Sequence, residues 1–322
     1  GVDRVAQRFL DVDDPLRTST LQVMAPLAGY SDAMAEAVLD GMAGGWRANR
    51  IEKLLTSEFP DPGVLDGFRP GPHGGVTRAM GYPLAFHLGA GTVPGVAATS
   101  MIRSLLVKSA VLLRPAYGDL PLSVAFARAL SEDLPEIAGC FSVLHWDRER
   151  VDFMETVLSS VDLVAAYGSD ETLHRMRKQL PLATRFVAYR HRVGVAFVGR
   201  EGLARGDGAG PGSARRSALD AARAVSLFDQ RGCVSPHAVF VEKGGEVSPE
   251  VWADLLAEAL EGLERELPSG PLGPEAGSGV QQVRGAAELV LIGKLAMPDP
   301  RAPGERSLGY LAEHEKMAAL AE

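Results

Sequence analysis

The residue of this chain best suited to chemistry is Cys233, within the segment Arg231-Gly232-Cys233-Val234-Ser235-Pro236. It follows an amphipathic stretch, predicted to be a helix over 214–228, and it precedes an apolar run at 238–241. A thiol on a glycine-containing turn can act as a nucleophile, because the backbone bends around a substrate and the cysteine N–H can face a developing oxyanion. A free cysteine is also a common small core residue. The residue alone therefore leaves both interpretations open.

The other cysteine and two histidines have simpler interpretations. Cys140 stands at the start of an apolar run and is predicted to be a core residue. His87 lies inside another apolar run and is predicted to be a buried, hydrogen-bonded histidine, with a place in the site wall as the alternative. His237, four residues after Cys233, could lie near the thiol or face elsewhere.

Composition indicates a globular enzyme with a large core. The chain has 322 residues, of which 46% are hydrophobic, and we expect it to divide into two lobes. Its net charge of −8 creates no global basic field that would favour nucleic acid or an anionic membrane. Two cysteines are too few for a disulfide framework or a structural zinc site. The sequence has no signal peptide and no long uncharged apolar run, so we expect a cytoplasmic protein without a membrane span.

A regular alternation of elements begins near residue 84. Apolar runs alternate there with helix-like segments, which predicts parallel strands joined by helices and a doubly wound α/β sheet. The preceding part of the chain is predicted to be helical and irregular, with helices over 34–42 and 46–55. The predicted strands are residues 84–88, 110–113, 140–146, 161–166, 186–189 and 193–198.

Two turns lie where such a sheet binds ligands, beyond the carboxyl ends of its strands. The glycines of residues 89–95 allow close approach of a nucleotide, but they could equally serve only the turn, because the GxGxxG fingerprint is absent. At Gly168 and Ser169 a strand meets a helix, whose free N–H groups could bind a phosphate. Ser169 could instead be an ordinary N-cap.

Together these segments resemble the LuxC-type acyl-CoA reductases, a family of long-chain fatty acyl thioester reductases in the aldehyde dehydrogenase superfamily. The most specific part is residues 228–236, which resemble the family's Asp-Gln-x-Ala-Cys-x-Ser-Pro segment around the acyl-accepting cysteine. Residues 86–94 resemble its His…Gly-Asn-Val-Pro loop. Residues 108–115 resemble the strand ending in the cofactor-binding Lys, and 161–169 the strand and phosphate turn of the superfamily.

The resemblance implies an α/β fold of the aldehyde dehydrogenase type in two domains. Residues 1–190 would form a helical lead-in and a nucleotide-binding domain with a doubly wound parallel sheet. Residues 191–322 would form the α/β catalytic domain that carries Cys233. Family members continue well beyond the point near residue 267 where the resemblance fades, so we expect this catalytic domain to be incomplete at its carboxyl end.

The resemblance also implies roles for individual residues. Cys233 would accept the acyl group, and its N–H would stabilise the oxyanion together with the hydroxyl of Thr92, which stands where the family has Asn. Arg114 replaces a cofactor-binding Lys and is suited to bidentate phosphate contact near the adenosine ribose. The residues implied to hold the cofactor, NADPH, are Arg114, Pro115, Gly91, Gly168 and Ser169.

The implied reaction is the reduction of a fatty acyl thioester, donated by acyl-CoA or an acyl-protein, to a fatty aldehyde. Hydride from NADPH would convert the Cys-bound thioester into a thiohemiacetal, which collapses to the aldehyde. The resemblance further suggests an acyltransferase or synthetase partner and a homo-oligomer. The cluster Arg190-His191-Arg192 is predicted to be solvated, with guidance of an anionic CoA donor as the alternative.

Two other functions stay open. Oxidative aldehyde dehydrogenases activate water with a Glu in a Leu-Glu-Leu-Gly-Gly segment, whereas the matching residues 186–194 contain no carboxylate here. This absence favours reduction over oxidation, although His191 could act as a base. The second alternative is a truncated protein that binds acyl groups or a partner subunit without turnover.

Overall fold

A computed structural model describes residues 1–71, 74–89, 93–147, 149–190, 192–206, 210 and 212–271. The chain divides into two units, Gly1–Gly270 and Pro271–Glu322, and the elements below belong to the first. The described residues form ten α-helices: α1 Val2–Leu10, α2 Pro15–Ala28, α3 Asp32–Gly45, α4 Ala48–Glu58, α5 Val96–Leu106, α6 Leu120–Asp133, α7 Val151–Ser160, α8 Asp170–Gln179, α9 Ala214–Ser226 and α10 Pro249–Glu266. They also form nine strands: β1 Arg69–Pro70, β2 Val76–Thr77, β3 Leu84–Leu88, β4 Ala110–Arg114, β5 Phe141–Val143, β6 Leu163–Gly168, β7 Arg185–Arg190, β8 Gly194–Val198 and β9 Pro236–Val241.

The amino-terminal helices pack against α5 and α6 through a shared apolar core. The buried indole of Trp46 lies between Phe9 of α1 and Phe126 of α6, with ring centroids 6.1 and 4.9 Å away in edge-on geometry. Its N–H donates to Thr99 Oγ1 of α5 at 2.9 Å. A buried indole needs such an acceptor. One side chain thus ties the helical lead-in to the helices that cover the sheet.

Five strands of the described chain form a parallel sheet in the spatial order β5-β4-β3-β6-β7. Helices α5 and α6 pack on one face, against Val111 and Leu113. Helices α7 and α8 pack on the other face, against Phe86 and Val164. The prediction of a doubly wound parallel sheet is therefore confirmed. The chain winds from β3 towards β5 and then returns to β6, so the order reverses between β3 and β6.

Strands β8 and β9 form a separate parallel pair, covered on one face by α9 and α10. The prediction that residues 193–198 continue the first sheet is wrong. Only residues 191–193 separate β7 from β8, which is too short for the crossover that parallel neighbours require. Strand β8 therefore leaves the sheet and pairs with β9, after the crossover through α9.

Two local predictions also need correction. Cys140 is exposed rather than a core residue, because it ends a 3₁₀ segment, Pro135–Cys140, and the strand begins only at Phe141. Helix α9 ends at Ser226 rather than at Phe228. The next residues cannot continue a right-handed helix, since Phe228 and Asp229 have φ values of 64° and 49°.

Candidate active site

The carboxyl ends of β3, β4 and β6 border a cleft of about 730 Å³. Its lining includes residues at the end of each strand: Leu88 and Gly89 at β3, Arg114 at β4 and Gly168 at β6. Helices α7 and α8 form the opposite wall. The cleft lies where the strand order reverses, which is where open α/β sheets bind their ligands.

The turn from β6 into α8 contributes Gly168 and Ser169 to the cleft. Ser169 is an N-cap, since its Oγ accepts from the N–H of Thr172 at 3.3 Å. The ordinary interpretation of Ser169 therefore holds, and the same residue also faces the cleft. The remaining N–H groups of this helix end favour an anion. The carboxylate of Asp170, in the first turn, would repel an anion, but it pairs with the guanidinium of Arg190 at 3.6 Å.

Arg114 lies at the rim of the cleft, held against Trp146. Its Nη2 donates to the backbone carbonyl of Trp146 at 2.6 Å, and its Cζ lies 4.9 Å from the centre of the indole ring. Pro115 is buried behind the cleft wall. It lies close to Gly89, since a Cβ added at Gly89 would be 3.3 Å from the Cα of Pro115. Two predicted site residues, Gly91 and Thr92, lie outside the described residues.

Asp119 is a buried carboxylate that the sequence did not single out. It is fully buried and accepts hydrogen bonds from the N–H groups of Gly95 at 2.7 Å and Ala97 at 2.9 Å, and from Ser123 Oγ at 3.3 Å. Burial raises the pKa of Asp119 to about 7, against the lowering effect of these hydrogen bonds. The carboxyl therefore anchors the start of α5. Its sequence signal was a lone acidic residue before the largely apolar α6.

Cys233 is exposed on the turn that leads into β9. Ser235 closes the base of this turn: its Oγ donates to the carbonyl of Leu227 at 2.9 Å, and its N–H to the carbonyl of Gly232 at 2.9 Å. Strand β8 passes directly beside the turn. A Cβ added at Gly194 would lie only 2.5 Å from the carbonyl oxygen of Ser235. The thiol is therefore exposed to solvent. The backbone that carries it is held by the hydrogen bonds of Ser235 and by the close approach of β8.

Tyr167 is a cleft residue that is held through both its hydroxyl and its ring. It lines the cleft at the end of β6, its hydroxyl forms a hydrogen bond with Ser100 Oγ at 3.0 Å, and its ring stacks on Tyr189 with centroids 4.4 Å apart. Burial raises the pKa of Tyr167, against the lowering effect of its hydrogen bond with Ser100. The sequence pattern left Tyr167 without a role.

His87 has the simpler of its two predicted roles. His87 is buried on β3, where its Nε2 forms a hydrogen bond with Ser104 Oγ at 2.8 Å, as predicted for a core histidine. Burial lowers the pKa of His87 to about 4, so its imidazole is neutral near pH 7. His237 is exposed on β9.

The described residues form neither a metal centre nor a membrane helix. In this part of the chain, no group of three or more His, Cys, Asp or Glu side chains could hold a metal ion. Nor does any helix among these residues have the length and apolar character needed to cross a bilayer.

Solved structures place this architecture in a known class. An NAD-dependent benzaldehyde dehydrogenase from Corynebacterium glutamicum superimposes with a TM-score of 0.65 at 14% identity, over 90% of this chain and 60% of that one. An aldehyde dehydrogenase from Burkholderia cenocepacia, itself putatively assigned, gives 0.63 at 15% identity, over 89% and 57% of the two chains. The predicted aldehyde dehydrogenase fold is therefore confirmed.

The family is more specific than the fold. The family described as acyl-CoA reductase (LuxC) matches residues 1–292, and the chain belongs to it. It is similar to the long-chain acyl-protein thioester reductase of Photobacterium phosphoreum, at 21% identity over 249 residues, or 73% of this chain and 47% of that protein. The enzyme of the same name from Aliivibrio fischeri is 22% identical over 246 residues, or 73% and 48%. The chain spans about half the length of the curated relatives that it matches.

Proposed function

We propose that this chain carries the cofactor cleft and the nucleophile of an NADPH-dependent reductase that converts a fatty acyl thioester into a fatty aldehyde. The observation that carries the proposal is the cleft at the point where the strand order reverses, together with the exposed thiol of Cys233 on the turn into β9. Thioester reduction requires an acyl-accepting thiol beside a nicotinamide site. The relatives named as long-chain acyl-protein thioester reductases support a long fatty acyl group as the substrate.

Three features of the cleft support the binding of a dinucleotide. Its volume of about 730 Å³ lies within the usual range for ligand pockets. Gly168 and Ser169, at the amino end of α8, would hold the pyrophosphate. Arg114 would lie near the adenosine ribose, where its guanidinium favours the extra phosphate of NADPH, and Pro115 would support the wall behind it. When bound, the reduced cofactor supplies the hydride that converts the thioester carbonyl into an aldehyde.

Cys233 performs the first chemical step. Its thiolate attacks the carbonyl carbon of the acyl donor, a new sulfur–carbon bond forms, and the bond to the donor sulfur breaks. The donor leaves as a thiol with the proton that Cys233 gave up. The N–H of Cys233 and the hydroxyl of Thr92 are the proposed donors to the oxyanion. An exposed thiol is open to a bulky donor, which fits both acyl-CoA and an acyl-protein delivered by a transferase or synthetase partner.

The direction of the reaction follows from the absence of a positioned base. Residues 186–194 contain no carboxylate, so hydrolysis of the acyl-enzyme would lack a general-base contribution of about 10²–10⁴-fold in rate. The acyl group therefore survives to be reduced. His191, the other candidate base in this segment, lies outside the described residues.

An aldehyde-trapping assay tests the proposed function. With NADPH and a long-chain acyl-CoA, we expect the amount of trapped aldehyde to equal the amount of NADPH consumed. In Cys233→Ala we expect neither aldehyde formation nor NADPH consumption. Rapid conversion of aldehyde and NADP⁺ to free acid, without an added acyl acceptor, would instead indicate an oxidative dehydrogenase. Acyl binding without turnover in either direction would indicate the non-catalytic alternative.

A further inference from the structure

The turn before the nucleophile has an unfavourable backbone. Phe228, Asp229 and Gln230 are consecutive non-glycine residues with φ values of 64°, 49° and 59°. Side chains disfavour this left-handed region, and such conformations persist only where the surrounding structure over-determines them. The contacts of the next residue, Arg231, supply that constraint.

Arg231 reaches back about two hundred residues along the chain to the end of α2. Its Nη1 donates to the carbonyl of Ala28 at 2.6 Å, and its Nη2 to the carbonyl of Gly29 at 2.9 Å. Ala28 is the last residue of α2, and Gly29 is its left-handed C-cap, with φ 66°. A cation is favoured at this end of a helix, where carbonyl groups lack partners within the helix. The guanidinium therefore binds a rigid, preformed acceptor.

The guanidinium of Arg231 also forms a hydrogen bond within the turn, and it lies over the ring of Tyr30. Its Nη2 donates to Asp229 Oδ2 at 3.0 Å, within the left-handed segment. Its Cζ lies 4.3 Å from the centre of the Tyr30 ring, a cation–π contact. Asp229 Oδ2 also accepts from the N–H of Gly270 at 3.2 Å. Arg231 thus joins the helical lead-in to a turn that ends two residues later at Cys233.

We propose that Arg231 is a positioning residue for Cys233: it clamps the left-handed turn to the end of α2 and thereby aims the thiol. This inference rests on the proposed role of Cys233 as acyl acceptor. Displacement of a reacting group by about 1 Å can cost about 10²-fold in rate. A planar fork is needed to contact two carbonyls and Asp229 together, and Lys cannot reproduce it.

Single-turnover acylation of Cys233 by a long-chain acyl-CoA tests the clamp, in a Cys140→Ser background. In Arg231→Ala we expect the rate constant to fall by about tenfold or more, while the final amount of acyl-enzyme per chain stays that of the parent. Unfolding of the variant would instead lower the final amount of acyl-enzyme per chain. Arg231→Lys should recover part of the rate. The control is Arg216→Ala, which removes an exposed arginine paired with Asp220 on α9. A rate constant in Arg231→Ala within about twofold of this control would overturn the proposal.

Alkylation of Cys233 by iodoacetamide, measured on the same variants, separates the clamp from the proposed function. We expect faster alkylation in Arg231→Ala than in Arg216→Ala, because the released turn exposes the thiol to a small reagent from more directions. If the parent forms no acyl-enzyme, the proposed function fails and alkylation alone judges the clamp. Equal alkylation rates in the two variants would then overturn it.

Discussion

Asp119 and Arg114 are two charged residues whose surroundings determine what they can do. Asp119 has lost all contact with water and is held by two backbone N–H groups and a hydroxyl. Arg114 keeps one edge at the cleft while its guanidinium stacks on Trp146. Both environments predict measurable consequences for single substitutions.

Asp119 should make the stability of the protein depend on pH. Its pKa rises from an ordinary 3.8 to about 7 in the fold, so the folded state binds a proton more tightly than the unfolded state. The stabilisation is complete below about pH 4 and is lost as the pH rises to about 7, with a slope of up to about 1.4 kcal/mol per pH unit. Urea unfolding at pH 5 and pH 8 measures it. We expect Asp119→Asn to remove most of this difference and Asp254→Asn, at an exposed site on α10, to retain it; an equal pH dependence in both variants would refute the assignment.

Arg114 should determine the preference for NADPH. We expect Arg114→Ala to weaken NADPH binding by about tenfold, equivalent to about 1.4 kcal/mol, with little effect on NADH. The control is Arg177→Ala, whose guanidinium lies 5.8 Å from the Phe186 ring. Fluorescence titration of both cofactors measures the affinities. Equal affinities in the parent protein, unchanged by Arg114→Ala, would contradict the proposed ribose-side role.

Among the elements, Trp46 and Gly194 each bring separate segments of the chain into close contact. Trp46 contacts α1, α5 and α6 with one side chain. Gly194 begins β8 beside the carbonyl of Ser235, so the strand pair and the nucleophile turn share one tight contact. A change at either position acts on several elements together.

Trp46→Ala should destabilise the protein by about 3–5 kcal/mol, because it removes a fully packed aromatic side chain. Trp46→Phe keeps much of the volume but loses the donor to Thr99, so a smaller loss is expected. Chemical denaturation measures both variants. A loss of less than about 1 kcal/mol for Trp46→Ala would show that the lead-in does not depend on this contact.

Gly194→Ala should slow the acylation of Cys233 and leave cofactor binding unchanged. The new Cβ would lie 2.5 Å from a backbone carbonyl that cannot yield without moving the turn. Gly199→Ala is the matched control, since its Cβ would meet the flexible side chain of Glu201. Acylation at the same rate in both variants would show that β8 does not position the turn.

The alternation of apolar runs predicted the elements better than it predicted their partners. Strand β3 was predicted at its observed bounds, because 84–88 is a buried apolar run. The pairing of β8 depended on the length of a connection rather than on its own residues, and it was predicted wrongly. Local pattern identifies a strand, but the partner of a strand depends on crossover length.

At the scale of the whole molecule, distance along the chain explains which site residues the sequence could reveal. Cys233 and Ser169 stand beside turns and helix ends that are visible locally. Asp119 acts on residues 22 and 24 positions away, and Arg231 on residues 202 and 203 positions away. Such groups are defined by tertiary contacts, which no local motif encodes.

Intact mass spectrometry shows whether Cys233 accepts the acyl group. The parent protein and Cys140→Ala are incubated with a long-chain acyl-CoA in the absence of cofactor, beside Cys233→Ala. We expect one acyl adduct on each of the first two proteins, released by hydroxylamine as a thioester should be, and none on Cys233→Ala. A hydroxylamine-sensitive adduct that persists in Cys233→Ala would show that another residue accepts the acyl group.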